Sequence, residues 1–76
     1  INYKLIEELI IKSAKFISSR EKDILSLLFG IHNLTLTLQE VANLYGVTKE
    51  RIRQIRDEAL RKIRTRYKHL ENDLLD

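Results

Sequence analysis

The sequence predicts an all-α fold of four helices, in which the last two helices form a helix-turn-helix. Three observations support this prediction. Leu, Ile, Lys, Arg and Glu dominate the composition, proline is absent and glycine occurs twice, which favours helices joined by short turns. Apolar residues recur three or four positions apart, as on one face of a helix. Signals for helix starts and stops separate these apolar runs.

The chain of 76 residues is long enough for one domain with a modest core. We therefore expect a single domain over 1–76, with helices at about 3–16, 19–29, 38–45 and 49–66 or longer. The first residue is Ile rather than Met. This indicates a fragment of a longer protein, with processing of the chain as the alternative.

The first two helices are predicted from apolar spacing and from a capping signature. Apolar residues at helical spacing indicate an amphipathic first helix: Leu5, Ile6, Leu9, Ile10 and Ala14. Ser18 and Glu21 have the S-x-x-E spacing of a capping box, which starts the second helix. Gly30 is predicted to end that helix, because glycine adopts the left-handed conformation without strain.

The third and fourth helices are predicted to form a helix-turn-helix over 38–57. Thr37 and Glu40 repeat the capping-box spacing and open a short helix. Gly46 and Val47 form a tight turn, and Thr48 caps a longer basic helix. A short helix, a turn that contains glycine and a longer basic helix are typical of this motif.

Steric requirements test the motif more sharply than charge does. Two closely crossing helices need a small residue at the contact, the turn needs a positive φ, and the second helix must bury one apolar stripe. The residues that meet these requirements are Ala42, Gly46, Val47, Ile52 and Ile55, with Val41 and Tyr45 opposite the stripe. A generic helical hairpin is the alternative, and it would rarely meet every requirement by chance.

The excess positive charge lies in one segment of the chain. Residues 1–48 carry five basic and five acidic residues, whereas residues 49–68 carry nine basic and three acidic residues. Residues 69–76 add three acidic residues and no Lys or Arg. Such a cluster is expected of a protein that binds nucleic acid. A solvated helix face is the alternative, and charge alone does not decide between them.

The outward face of the fourth helix carries side chains suited to reading DNA bases. If Ile52 and Ile55 are buried, the helical step turns five residues outward: Lys49, Glu50, Arg53, Gln54 and Asp57. Arg can contact guanine through two hydrogen bonds, Gln can contact adenine, and Glu can accept from the cytosine amino group. An ion pair between Glu50 and Arg53 is the alternative to base contact, which we favour. Arg51 and Arg56 lie at the flanks, where phosphates are expected.

Several other classes of site are disfavoured. Without cysteine the chain has no disulfide and no thiolate metal site, and His32 and His69 stand far apart. We therefore expect no metal and no cofactor. No apolar run approaches the length of a membrane span, and no signal peptide opens the chain. No spacing suggests a nucleophile with its base, so we expect no enzymatic activity.

Two sets of segments carry a family resemblance. Residues 37–42, 47–55 and 59–64 read TLQEVA, VTKERIRQI and ALRKIR, and residues 19–21 and 27–31 read SRE and LLFGI. This pattern closely resembles region four of housekeeping-type bacterial sigma factors, over roughly 8–64. The string in 47–55 is highly specific, so a chance match is very improbable.

The resemblance implies recognition of the minus-35 promoter element and docking on the flap of the RNA polymerase β subunit. It implies base reading by Lys49, Glu50, Arg53 and Gln54, the face that helix geometry selects. We expect contacts to the DNA backbone from Arg20, Thr37, Thr48, Arg51 and Arg56. Activators or an anti-sigma factor are further candidate partners, and the implied location is the bacterial cytoplasm, with a plastid homologue as the alternative.

The sequence departs from the family pattern at several positions. Lys49 replaces the usual Arg, and a Lys cannot form the planar fork that recognises guanine. Ser26 and Leu28 replace two arginines, Glu58 replaces a frequent Lys in the patch that activators contact, and Thr65 and Arg66 replace a His-Pro pair. These changes leave the fold intact and leave promoter preference and activator contact open.

Apolar residues are unusually frequent in the first two helices: Ile10, Ile11, Phe16, Ile17, Leu27, Leu28 and Phe29. A core of this size cannot cover all of them, so we expect an exposed groove at Leu27, Leu28 and Phe29 that binds a partner helix, such as the flap tip. Core packing is the alternative for each residue taken singly.

Three functions remain open at this point. The first is the promoter-recognition domain of a sigma factor. The second is a transcriptional regulator that uses the same module and dimerises through the helix at 3–16. The third is a protein-interaction module that binds a polymerase flap or an anti-sigma factor without reading DNA. The full-length chain would distinguish them, because a sigma factor carries its other promoter-binding regions before this segment.

Overall fold

A computed structural model describes residues 3–31 and 34–66 of the chain. They form helix α1 (Tyr3–Lys12), a short 3₁₀ turn (Ser13–Lys15), α2 (Ser19–Phe29), α3 (Leu38–Tyr45) and α4 (Lys49–Arg66). The prediction of an all-α fold is confirmed for this part of the chain. Three predicted features lie outside it: His32, His69, and the continuation of the last helix through Leu70 and Leu74. The side chains of Leu5, Ile6 and Ala14 are likewise outside the description.

The first helix is shorter than predicted. It leaves the α-helical conformation after Lys12 rather than at residue 16, and the N–H of Phe16 donates to the carbonyl of Ser13 at 2.9 Å. A last turn that tightens to 3₁₀ geometry is frequent at helix C-termini, because it satisfies carbonyls that have no helical partner. This turn brings Ile17, which is buried, into the core directly before α2 begins.

Helices α2 and α3 have the bounds that their capping signals indicate. Ser18 accepts from the N–H of Glu21, and Thr37 accepts from the N–H of Glu40, each at 3.1 Å. Both helices end at a glycine in the left-handed conformation, Gly30 at φ 68° and Gly46 at φ 67°. Ends of this kind satisfy the terminal N–H and C=O groups that a helix leaves unpaired.

Two hydrophobic clusters hold the helices together. The first joins α1, α2 and the second half of α4; its buried members are Leu9, Ile10, Ile17, Leu25, Ala59 and Ile63. The second joins α2, α3 and the first half of α4; its buried members are Ile24, Val41, Ala42 and Ile52. Because α2 and α4 contribute to both clusters, they fix the position of the helix-turn-helix on the rest of the domain.

Within the described ranges, no helix is both long enough and apolar enough to cross a membrane. In the same ranges, no three His, Asp or Glu side chains come together in a way that could hold a metal ion.

Candidate nucleic-acid interface

The crossing of α3 and α4 is the base of the candidate site. Val41 and Ala42 of α3 and Ile52 of α4 have no solvent exposure and pack in the second cluster. Tyr45, Val47 and Ile55 are half-buried against them. Four of the five predicted motif-core residues thus pack together at the crossing: Ala42, Val47, Ile52 and Ile55. The fifth, Gly46, is exposed at the turn. Ala42 has only a methyl group, which lets the two helix backbones approach closely.

The turn between the two helices is set by Gly46. Its φ of 67° lies in the left-handed region, and the N–H of Val47 donates to the carbonyl of Ala42 at 3.0 Å. Thr48 then begins α4, because its hydroxyl accepts from the N–H of Arg51 at 3.0 Å. The turn and the cap together fix the start of α4 directly after α3.

All four predicted base-reading residues are exposed on those first turns: Lys49, Glu50, Arg53 and Gln54. At a helical step of about 100° per residue, Glu50 and Gln54 lie about 160° from the buried Ile52, Arg53 lies about 100° from it and Lys49 about 60°. The arrangement offers an N-terminal helix end with two cations, one carboxylate and one amide to a ligand. Such an end is the part of a helix-turn-helix that enters the major groove.

Arg53 is held by two carboxylates of its own helix. Its Nε donates to Glu50 Oε2 at 3.0 Å, its Nη2 contacts Glu50 Oε1, and its Nη1 donates to Asp57 Oδ2 at 2.9 Å. The ion pair between Glu50 and Arg53, the alternative to base contact, is therefore present in the protein without DNA. The hydrogen bond from Arg53 lowers the pKa of the Glu50 carboxyl, and the same bond raises the pKa of the Arg53 guanidinium. Base reading by these residues stays a prediction.

The predicted backbone-contact residues surround this face. Arg20, Thr37, Thr48 and Arg51 are exposed, and Arg56 is half-buried. The Arg20 guanidinium lies over the Tyr45 ring at 5.2 Å from its centroid, a cation–π distance. Arg20, Arg51 and Gln54 also line one concave surface of about 420 Å³ between the start of α2 and α4. Lys62 and the carboxylates of Glu21 and Glu58 line the same surface, so its charge is mixed.

The residues of the predicted partner groove have mixed surroundings. Of the seven crowded apolar residues, Ile10 and Ile17 are buried in the first cluster, whereas Ile11 is 59% exposed. The 3₁₀ turn at 13–15 folds the chain back and lets the first cluster cover Ile10 and Ile17. Leu27, Leu28 and Phe29 are half-buried and pack against the two clusters. Their role as a partner groove stays a prediction.

Two side chains acquire a role that sequence reasoning missed. The sequence places Asp57 on the outward face and gives it no function, yet its carboxylate joins Arg53 and Arg56. The spacing of four residues between Arg53 and Asp57 was the available signal. The sequence predicts only that Tyr45 packs opposite the buried stripe, whereas its ring also lies under the Arg20 guanidinium. No local spacing could indicate that contact, because the two residues lie on different helices.

Comparison with known proteins agrees with this geometry. The chain is 43% identical over 75 residues to proteins named RNA polymerase sigma factor SigA from Listeria monocytogenes and Listeria innocua. The match covers 95% of this chain and 20% of each relative, so the chain spans about one fifth of their length. Residues 17–65 match the family described as sigma-70, region 4, and they include α2, α3 and nearly all of α4. The resemblance found in the sequence is thereby confirmed: the chain belongs to the sigma-70 region 4 family.

Proposed function

We propose that the chain recognises the minus-35 element of promoter DNA and acts in transcription initiation as part of RNA polymerase. The observation that carries the proposal is the exposed N-terminal end of α4, which bears Lys49, Glu50, Arg53 and Gln54 above a packed crossing with α3. Family membership and the names of the two Listeria relatives support it. This role implies action in the bacterial cytoplasm, where that machinery operates.

In this proposal the first turns of α4 lie in the major groove and read base edges. Gln54 pairs with adenine through its amide, and Glu50 accepts from a cytosine amino group. Arg53 forms two hydrogen bonds with guanine once it has left its own carboxylates, whereas Lys49 supplies a single cationic donor. The exposure of all four side chains makes this face accessible to a duplex.

The flanking residues fix the register of the helix on the duplex. Arg51 and Arg20 border the concave surface beside the start of α2, and Tyr45 holds the Arg20 guanidinium in place by stacking. Thr37 and Thr48 have exposed hydroxyl groups at the starts of α3 and α4, where a helix terminus favours a phosphate. Contacts of this kind supply affinity without sequence preference.

Salt dependence tests the phosphate contacts. If about five phosphates are neutralised, log K should fall against log salt with a slope of about −4 to −5. Arg51→Ala should weaken binding to all duplexes alike and reduce the magnitude of the slope by about one. Arg64→Ala removes the same charge about 20 Å further along α4, beyond the screening length, and serves as the matched control. Fluorescence anisotropy with a labelled duplex, over a range reaching beyond micromolar concentrations, measures all three proteins.

Selection from a random duplex pool tests base reading. Gln54→Ala should relax the preference at one position of the selected sequence, with a discrimination loss of about 1–3 kcal/mol. Arg51→Ala should leave the selected sequence unchanged. A pool that shows no enrichment with the unaltered chain, or binding that does not respond to salt, would contradict the proposal and favour the partner-binding alternative.

We propose in addition that Leu27, Leu28 and Phe29 dock the helix at the tip of the polymerase β-subunit flap. The partial exposure of these three apolar side chains at the end of α2 supports this assignment. Activators and an anti-sigma factor are further candidate partners, for which the basic end of α4 offers exposed cations: Arg61, Lys62, Arg64 and Arg66.

A charge placed in the proposed groove tests the flap contact. Leu28→Arg should abolish capture by the flap while the thermal midpoint and DNA affinity stay close to those of the unaltered chain. Leu44→Arg, at a residue with 66% exposure on α3, introduces the same charge outside the groove and is the control. If Leu28→Arg lowers the thermal midpoint strongly and leaves flap capture unchanged, Leu28 is a core residue and the groove lies elsewhere.

A further inference from the structure

The recognition surface of α4 contains one carboxylate that is bound to two arginines at once. Asp57 Oδ2 accepts from Nη1 of Arg53 at 2.9 Å, and Asp57 Oδ1 accepts from Nε of Arg56 at 2.9 Å. A second contact joins Nη2 of Arg56 to the same Oδ1 at 2.9 Å. Asp57 is thus shared between a proposed base-reading residue and a proposed phosphate-contacting residue.

The guanidinium of Arg53 donates a hydrogen bond from each of its three nitrogens. Nε and Nη2 bond to Glu50 and Nη1 bonds to Asp57. Recognition of guanine or of a phosphate by arginine uses two parallel N–H groups of the same fork. Three of its five N–H groups are thus in use. A DNA contact through the Nε–Nη2 edge displaces Glu50, and one through the N–H of Nη1 that Asp57 holds displaces Asp57.

Glu50 and Asp57 differ in what they can gain on the duplex. Glu50 lies at the end of α4 that enters the groove, where a cytosine amino group can replace Arg53 as its partner. Asp57 lies seven residues further along, about 10 Å by the helical rise. There its carboxylate pairs with Arg53 and Arg56, both of which we propose to contact DNA. A carboxylate at this position repels the DNA phosphates that would replace it as a partner of these arginines.

We propose that Asp57 limits DNA affinity by competing with DNA for Arg53 and Arg56, an inference that rests on the function proposed above. The side chains are 45% and 31% exposed for the two arginines and 48% exposed for Asp57. Pairs as exposed as these are individually weak. Together they hold the affinity down by about three- to tenfold, which makes Asp57 a residue that sets how tightly the domain binds promoters.

Asp57→Asn and Glu58→Gln form a matched pair of variants that tests this inference. Each removes one negative charge from neighbouring exposed positions of α4. Glu58 pairs with Arg61 and contacts neither Arg53 nor Arg56 in the described structure. The general electrostatic attraction to DNA therefore changes in both variants, and any local gain beside Arg51, whose concave surface Glu58 lines, adds to the control. Competition for Arg53 and Arg56 is relieved only in Asp57→Asn.

The measurement is anisotropy titration of two labelled duplexes, one selected by the protein from a random pool and one scrambled. Asp57→Asn should tighten binding to both duplexes by about three- to tenfold and make the salt slope steeper by about one. Glu58→Gln should change the affinity by about twofold at most. In a background that carries Arg53→Ala and Arg56→Ala, the advantage of Asp57→Asn over Glu58→Gln should disappear.

The possible outcomes distinguish a failure of this inference from a failure of the proposed function on which it rests. If no protein binds either duplex, the proposed function fails and the inference fails with it. If the chain binds DNA but Asp57→Asn and Glu58→Gln act equally, only the inference is overturned. If Asp57→Asn weakens binding, Asp57 orients Arg53 for DNA instead of competing for it, and the inference is again overturned. Asp57→Ala repeats the test without an amide, and circular dichroism verifies that each variant is folded.

Discussion

Helices α2 and α3 begin and end with the same local structures. In each, the backbone N–H before the helix donates to a glutamate Oε1 at 2.8 Å, and a hydroxyl accepts from the glutamate N–H at 3.1 Å. Each ends at a glycine with φ near 67° whose following residue, Ile31 or Val47, donates to a carbonyl of the helix at 3.0 Å. What surrounds these ends differs between the two helices.

The surroundings are packed around α2 and open around α3. The side chain of Glu21 is 10% exposed, and Nζ of Lys62 lies 3.0 Å from its Oε2. Glu40 is exposed. A methyl group added at Gly30 would lie 2.2 Å from Thr35 Oγ1, whereas one added at Gly46 meets nothing within 4 Å. Local signals thus set the bounds of both helices, and tertiary contacts decide how much each signal contributes to stability.

The largest difference in stability is expected between alanine substitutions at the two glycines. Gly46→Ala adds only the strain of a left-handed non-glycine residue, about 1 kcal/mol. Gly30→Ala adds the same strain and also the displacement of the Thr35 side chain, about 2 kcal/mol in all. For a domain of this size, each kcal/mol lowers the thermal midpoint by roughly 4–8 °C. Thermal melts of both variants, followed by circular dichroism, measure the difference.

A second substitution isolates the steric part of that difference. Thr35→Ala removes the hydroxyl that the new methyl group would meet. In that background Gly30→Ala should cost only about as much as Gly46→Ala, about 1 kcal/mol. If Gly30→Ala costs the same stability with and without the Thr35 hydroxyl, the Thr35 side chain moves aside without cost. The difference between Gly30→Ala and Gly46→Ala would then have no steric component.

The same comparison explains which features the sequence could predict. Capping boxes and terminal glycines act within a few residues, so the bounds of α2 and α3 follow from Ser18, Glu21, Thr37 and Glu40. The end of α1 has no such marker, because the 3₁₀ turn after Lys12 is set by how the chain must fold back to bury Ile17. Contacts between residues far apart in the chain, such as that of Glu21 with Lys62, could not be predicted from local sequence patterns either.

The candidate site was predictable to a similar extent. The exposed face of α4 followed from helical periodicity once Ile52 was assigned to the core. The choice of partners on that face did not follow, because Arg53 has carboxylates three residues before it and four residues after it and uses both. The contact of Arg20 with Tyr45 needs the packing of α2 against α3, which no local pattern specifies.

The stability lost on replacing the capping-box glutamates should differ between the two helices by a smaller amount. Glutamine preserves the oxygen that closes a capping box, so Glu40→Gln should cost only a few tenths of a kcal/mol, about 0.3. Glu21→Gln also removes a largely buried carboxylate that pairs with Lys62, and we expect a loss of about 1 kcal/mol. Urea unfolding of the two variants, analysed with a common m-value, measures both losses.

The loss of stability in Glu21→Gln should depend on pH. Burial raises the pKa of the Glu21 carboxyl, but hydrogen bonds from Ser18 and Lys62 and the charge of Lys62 outweigh burial and lower it overall. A lowered pKa stabilises the folded state above the ordinary value of 4.5, and this contribution is lost as the pH falls through the folded pKa. The stability gap between the unaltered chain and Glu21→Gln should therefore be full at neutral pH and shrink below pH 4.5. A gap that stayed constant down to acid pH would contradict the assignment.

The smallest effect is the coupling between Glu21 and Lys62, which joins the start of α2 to α4 and has no counterpart at Glu40 in the described structure. A double-mutant cycle with Glu21→Gln and Lys62→Gln should give a coupling of about 0.5 kcal/mol, since Lys62 is 41% exposed and solvent screens the pair. The coupling should weaken as salt is raised, because the Debye length falls. Arg61→Gln, combined with Glu21→Gln, removes a neighbouring cation that contacts Glu58 instead and should show almost no coupling. Equal coupling for Lys62 and Arg61 would mean that Glu21 senses the general positive charge of α4, and the α2 capping box would then differ from the α3 box only in its burial.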